Sequence, residues 1–399
     1  MAQLPLQGSG GVFFVEYFLV CWVVGRVDGM SRVLVIHIGA QKCASSSLQA
    51  SLRLLRDAVG NVLDFCFLNP AQLRAADLGL SKKKEDAFSY IDRILAAQRS
   101  DQVVVSHEML GNRPALVAAI AERALDRFGF DRVVISGYTR LQSSYHVSAF
   151  AQWHFRDSKM LRADCKALRE VGVSWRCFSA LERSLLVMSM AGQDRSWLSN
   201  YRRLLAGVKH LGASVDVVSS HIPTRERPFS LLPHFLQSTG LHVVIDDLKS
   251  FDVRKNLSFH PTLIHGLSSH MSALRPAQQT CFPGPHEGNR WLFRVCKRLS
   301  ETCGDLADSE TIFPLDLQNR LLGHLDCRSF SGNNDYCKLM NVDSAYFKPA
   351  DGATILTSEQ IVDLATEAAN SRNLKEIERF NRLSENACMD AARAEIVST

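Results

Sequence analysis

Apolar and polar residues follow one another along this chain in blocks of two kinds. Short β-branched runs read as strands buried on both faces of a parallel sheet: VLVIHI (Val33–Ile38), VVV (Val103–Val105), VVIS (Val133–Ser136), VDVV (Val215–Val218) and VVI (Val243–Ile245). Between them stand stretches with helical spacing, such as Ala115–Phe128 and the segment that starts near Ser45 and carries Leu48, Leu52 and Leu55 on one face. Strand alternating with helix predicts an α/β fold, a doubly wound parallel sheet. From Thr262 the pattern becomes helical and polar, with a Pro/Gly-rich loop at Cys281–Gly288 and a helix near Trp291–Glu301. Thr357–Ala391 reads as one or two amphipathic helices, opened by the capping box Thr357, Ser358, Glu359, Gln360, so residues 349–399 form a helical C-terminal extension. No internal repeat is visible.

The most apolar run, Gly11–Gly25, is about 15 residues long and contains Glu16, short of the roughly 18 to 20 that cross a bilayer. No Lys or Arg precedes it, and no clear small-x-small cleavage pattern follows. Met30 stands just before the first strand. Residues 1–29 are therefore expected to lie upstream of the true start or to form a loose apolar appendage; the alternative is a peripheral membrane contact through residues 11–25. Composition adds little else. With 46% hydrophobic and 22% charged residues among 399, the chain is neither disordered nor of low complexity, and residues 30–348 are ample for one α/β domain. A formal charge of +5 is too small for a protein that coats nucleic acid, but suits one local anion site. Eleven cysteines form no CxxC pair and no Cys/His cluster at zinc spacing. They read as reduced, mostly buried thiols of a cytoplasmic protein, and no metal site is assigned.

In open α/β sheets ligands sit where strand C-termini meet helix N-termini, which directs attention to His37–Leu48 (HIGAQKCASSSL). Gly39 permits a tight turn, Lys42 supplies positive charge, and Ser45, Ser46 and Ser47 offer hydroxyls beside the unpaired N–H groups of a helix start. An ordinary βα turn with a serine cap explains the same residues. A Walker A loop does not, because Gln41 precedes Lys42 where that motif requires Gly. Arg140 follows a strand, with Ser148 eight positions on; Arg is suited to a bidentate grip on a phosphate monoester. Between these segments the strand Val103–Val105 runs into Ser106, His107 and Glu108.

These segments resemble the sulfotransferases that use 3′-phosphoadenosine 5′-phosphosulfate (PAPS). Their 5′-phosphosulfate loop is approximately PKxGTT in cytosolic enzymes and HIGxxKTGTTS in bacterial relatives. His37, Ile38, Gly39, Lys42, Ser45 and Ser46 match, while Ala44 stands where the family usually has Gly. The family's Arg and Ser for the 3′-phosphate match Arg140 and Ser148. Its base is Thr-His in some members and Ser-x-Glu in others; both His107 and Glu108 fit, the latter preferred. Arg254–Ser258 (RKNLS) resembles the late basic loop over the 3′-phosphate, which nominates Arg254 and Lys255, although an Asn256 helix cap explains it as well. Asn333–Leu339 resembles a closing, packing segment. The likeness spans about residues 31–348, most distinct at the two phosphate motifs.

The resemblance implies a P-loop NTPase-like sulfotransferase fold and transfer of a sulfuryl group from PAPS to a hydroxyl or amine, on a carbohydrate, glycolipid or other small acceptor. Lys42 would neutralise the departing 5′-phosphate, Gly39, Ala44 and Ser45–Ser47 would hold it, and no metal would be needed. Two rival readings stand beside it. LHVVIDD (Leu241–Asp247) imitates a Mg²⁺-binding Walker B strand of a phosphotransferase, although Asp246 and Asp247 also read as a helix cap. A non-catalytic nucleotide-binding protein would keep the same fold. Tyr145, His146, Phe150, Trp153, His154 and Arg156 line an acceptor cleft or, as preferred here, a packed helix face.

Overall fold

Five consecutive buried residues, Val33–His37, make the first strand, β1, and they set the architecture. A strand with no exposed position needs hydrogen-bonded neighbours on both edges and helices on both faces. The computed structural model describes residues 31–39, 43–82, 85–192, 195–224, 228–253, 259, 261–273, 289–302 and 312–397. Lys42, Arg254, Lys255, Asn256 and residues 1–29 lie outside the described residues, as does the Cys281–Gly288 loop.

The helix α1 (Ser45–Val59) follows β1, and β2 (Asp64–Phe67), α2 (Pro70–Ser81) and α3 (Ser89–Ala96) lead to β3 (Gln102–Ser106). Then come α4 (Pro114–Phe128) and β4 (Arg132–Thr139). Four helices, α5 (Gln142–Phe150), α6 (Ser158–Glu170), α7 (Ala180–Met190) and α8 (Leu198–Val208), precede β5 (Val215–His221). The remainder is helical: α9 (Leu231–Thr239), α10 (Pro261–Ala273), α11 (Asn289–Thr302), α12 (Leu315–Met340), α13 (Ser358–Ser371) and α14 (Leu374–Val397).

All five strands are parallel, in the order β2-β3-β1-β4-β5. The chain leaves β1 toward the β2 edge through α1, and leaves β3 toward β4 through α4. Right-handed crossovers in opposite directions put α1 and α4 on opposite faces. The expected α/β parallel sheet is thus present, and four of the five expected strands lie within it.

Val243–Ile245 is not a strand. Val244 is 92% exposed, and the segment is held instead by Gln102, whose amide donates to the His242 carbonyl at 2.8 Å and accepts from the His242 N–H at 2.5 Å. One side chain supplies there the pair of bonds that a neighbouring strand would supply. The fifth strand is β2, an edge strand with only Phe65 buried. Its Asp64 accepts from the N–H groups of Arg99 and Ser100 at 2.7 and 2.9 Å, which ties it to the start of β3.

The helices after β4 build apolar cores of their own. The capping box at Thr357 and Gln360 opens α13 as its spacing predicts, and the run divides into two helices at Arg372. The Arg372 guanidinium donates to both oxygens of the fully buried Glu182 carboxylate at 2.7 and 3.0 Å, and to the Cys177 carbonyl at 3.0 Å. That clamp fixes the α13–α14 joint on α7. Further on, α14 lies against α10, where a Cβ on Gly266 would stand 2.2 Å from the Ser384 carbonyl oxygen. No helix among the described residues is long and apolar enough to cross a membrane. Replacing Gly266 with Ala should therefore force α10 and α14 apart and cost about 1 to 3 kcal/mol, read as a lower denaturant midpoint; an unchanged midpoint would refute the close approach.

Candidate functional site

The loops after β1 and β3 depart in opposite directions, so a crevice opens between the C-terminal ends of these neighbours. The first polar position of β1, His37, pairs in register with Ser106 on one side and Ser136 on the other. Its Nδ1 lies 2.8 Å from Ser106 Oγ, which also accepts from the Gln49 amide of α1 at 3.0 Å. With the serine hydroxyl donating to Nδ1, the ring proton sits on Nε2. Burial pulls the His37 pKa down to about 4, so the ring is neutral at physiological pH. Nε2 is buried and has no hydrogen-bond partner among the described residues.

Gly39 crosses directly above that ring. A Cβ there would stand 2.7 Å from His37 Nε2 and 2.2 Å from Ser45 Oγ, so any larger residue would have to displace both side chains. At the helix entrance Ala44 adopts the left-handed conformation, φ 61° and ψ 9°, and its carbonyl accepts from the N–H groups of Ser47 and Leu48, both at 3.0 Å. A left-handed residue is what aims successive backbone N–H groups into an anion-binding concavity. The departure of Ala44 from glycine is therefore one of residue type, while the backbone has the shape that glycine favours. The three serines are not equivalent: Ser45 and Ser47 are buried, and Ser46 is exposed. Beside them Cys43 is fully buried, and burial pushes its thiol up to about 12, which leaves it protonated and unreactive.

From β3, His107 and Glu108 enter the crevice with different duties. His107 Nδ1 accepts from the Met109 N–H at 2.9 Å and caps the short 3-10 helix Glu108–Asn112. Burial, with the Arg74 charge in addition, holds the ring's pKa below the usual value, so it stays neutral. Its one basic nitrogen is already spent on the cap. Glu108 is half-buried, and the Ser46 hydroxyl donates to its Oε1 at 3.4 Å, joining the β1 and β3 loops.

Arg140 leaves the end of β4 half-buried, with its carbonyl accepting from Trp197 Nε1 at 2.9 Å. Its charge lowers the pKa of the buried Cys43 thiol while that of Glu108 raises it, both against the larger effect of burial. Ser148 is half-buried on α5. Two residues at the entrance of α5 were not visible in sequence. Tyr346 stacks on His221 of β5 at 4.1 Å and 5°, and its phenol is raised to about 12 by burial, with Arg140 opposing. Asp326 of α12 accepts from the Ser143 N–H at 2.9 Å and so caps α5 from a distant element; burial lifts its pKa to about 6. A carboxylate flanked by apolar residues at helical spacing was the only available signal.

The remaining sequence candidates separate clearly. Val253, just before the Arg254–Ser258 segment, donates from its N–H to Ser51 Oγ of α1 at 2.8 Å, and Phe259 just after it packs on Phe155. His146, Phe150 and Arg156 are buried, His154 Nε2 lies 2.8 Å from Asp164, and Tyr145 meets Trp197 edge-on. That group forms a packed face. Asn333 bonds Gln142 at 2.8 Å and Trp197 N–H at 3.2 Å, which is a packing role. Asp246 and Asp247 follow no strand, so they do not form a Walker B element. Among the described residues no group of three or more His, Cys, Asp or Glu could hold a metal ion. No protein-family model, curated protein or solved structure matches this chain.

Relief of the left-handed strain by Ala44→Gly should raise stability by about 0.5 to 1 kcal/mol, after the greater freedom of glycine in the unfolded chain is subtracted. Denaturant titration checks it. For Asp326 the folded pKa is raised, so its contribution to stability is full below its ordinary value near 3.8 and is lost as pH rises through about 6. Asp326→Asn, which keeps an acceptor for Ser143, should gain on wild type by up to about 2 to 3 kcal/mol between pH 4 and pH 7; parallel pH profiles would refute this.

Proposed function

We propose that this protein is a PAPS-dependent sulfotransferase acting on a hydroxyl, or an amine, of a carbohydrate, glycolipid or small acceptor. One observation supports the reading: the Ser46 hydroxyl at the start of α1 donates to Glu108 Oε1 at 3.4 Å, so the start of α1 and the end of β3 meet at the rim where β4, the other neighbour of β1, ends just before Arg140. A helix start with a left-handed entrance suits a 5′-phosphosulfate, and an Arg at the end of β4 suits a second phosphate. The unspent Nε2 proton of His37 beneath Gly39 adds one more donor to the floor.

In this reading the acceptor oxygen attacks sulfur in line while the bond from sulfur to the 5′-phosphate oxygen breaks, releasing 3′,5′-ADP. Glu108 takes the acceptor proton, since the acceptor nitrogen of His107 is engaged in the cap. Lys42 is assigned to the charge that builds on the leaving phosphate, with Gly39, Ala44 and Ser45–Ser47 holding that group. Arg140 and Ser148 are assigned to the 3′-phosphate, with Arg254 and Lys255 closing over it. The leaving group is already a stabilised anion and the transferred group carries a single charge, so the step calls for no metal. Eight free thiols among the described residues suit a reducing compartment, which favours the cytoplasm.

Calorimetry with 3′,5′-ADP should give saturable binding to wild type and at least about tenfold weaker binding to Arg140→Ala. Transfer of labelled sulfate from PAPS to a panel of hydroxyl acceptors should fall about 10² to 10⁴-fold in Glu108→Gln, with 3′,5′-ADP binding retained. Lys42→Ala should cost about 10² to 10³ in rate. A chelator should change neither. Absence of 3′,5′-ADP binding, or Mg²⁺-dependent ATP binding in its place, would overturn the proposal.

A further inference from the structure

A second cavity, of about 360 Å³, lies in the helical half of the molecule, between the N-terminus of α7, the side of α10 and α14. Its wall contains Arg183, 6% exposed, which has no ion-pair partner among the described residues. The Arg183 guanidinium donates to the Phe178 carbonyl at 3.2 Å and to Ser272 Oγ at 3.4 Å, and its Nε is buried with no partner among the described residues. The two carboxylates whose charges act on it are committed elsewhere: Asp164 bonds His154 at 2.8 Å, and Glu182 is gripped by Arg372. Arg176 and Arg382 line the same cavity from exposed positions, so three guanidiniums face the single carboxylate of Glu378. The α7 entrance, Ser179 and Ala180, also lines the cavity, but its capping box with Glu182 already uses the donors there, so the positive charge of the site is that of the arginines.

Two hydroxyls of α10, one of them on Ser272 beside Arg183, have the reverse polarity. Ser268 donates to the Phe155 carbonyl at 3.1 Å or the Ile264 carbonyl at 2.5 Å, and Ser272 donates to the Ser268 carbonyl at 2.6 Å. With their protons engaged, these oxygens offer lone pairs to a hydroxyl-bearing ligand and nothing to an anion. His265, also lining the cavity, is held by burial and by Arg183 near a pKa of about 4, and so adds no charge.

We propose that this cavity binds a monosaccharide-sized polyol carrying a sulfate or phosphate ester, with the ester oxygens on Arg183, Arg176 and Arg382 and the hydroxyls on Ser268 and Ser272. The site is separate from the β1–β3 crevice and stands whether or not that crevice binds PAPS. The test is calorimetry of the full chain with galactose 6-sulfate, galactose 6-phosphate, galactose and sodium sulfate. Both esters should bind, galactose should give no heat, and sodium sulfate should bind about tenfold more weakly than the esters. The tighter of the two esters identifies the source of the anion.

Arg382→Glu, at an exposed position that leaves the fold intact, should weaken ester binding about tenfold or more, and Arg183→Gln should weaken it further. Arg140→Ala should leave it unchanged. Three results would overturn the proposal: no heat with either ester up to about 20 mM, a concentration that detects even weak binding; full binding retained in Arg382→Glu; or binding of free galactose equal to that of its esters.

Discussion

Everything in this molecule depends on the complete burial of β1. With β3 and β4 on its edges and helices over both faces, Val33, Leu34, Val35 and Ile36 can tolerate no polar group. The first side chain able to carry one is His37, at the C-terminal end, where the Ser106 hydroxyl donates to its Nδ1 and itself accepts from the Gln49 amide. Chemistry is thereby driven to one rim of the sheet. The same rule aligns Ser106 and Ser136 with His37, so the three central strands all turn polar at one level.

That constraint explains which parts were legible in sequence. β1, β3 and β4 are apolar runs because they are central, and their ends could be read directly. β2 was missed because an edge strand buries only Phe65 and carries Asp64. Val243–Ile245 misled for the opposite reason: the run is apolar but pairs with no strand, its Val244 is exposed, and Gln102 holds the chain at His242 just before it. At the rim the need for a tight turn at Gly39 and a helix start near Ser45 follow from neighbours in the chain and were readable, whereas the left-handed conformation of Ala44 was not, since Ala seldom adopts it. Asp326 and Tyr346 reach the entrance of α5 from 183 or more residues along the chain. Only tertiary packing brings them there, and no spacing encodes it.

The helical half obeys a different logic. Its elements are joined by a few polar clamps between apolar seams, of which the Arg372–Glu182 pair is the most enclosed. Removing one partner of such a pair leaves a bare charge in the interior, at a cost of about 3 to 5 kcal/mol. Glu182 serves twice, since it also completes the capping box with Ser179 at the start of α7. One carboxylate thus links the entrance of α7 to the joint between the last two helices.

The left-handed turn at Ala44 has a bearing on kinetics as well as shape. Its distortion is met once, during folding, by the packing of α1 against the sheet, so under the proposed function the backbone N–H groups at the start of α1 would be aimed before a phosphosulfate arrives. Association at that spot would then be governed by diffusion and charge, with salt as its main brake, and temperature would alter it less than it alters loops that must close around their cargo.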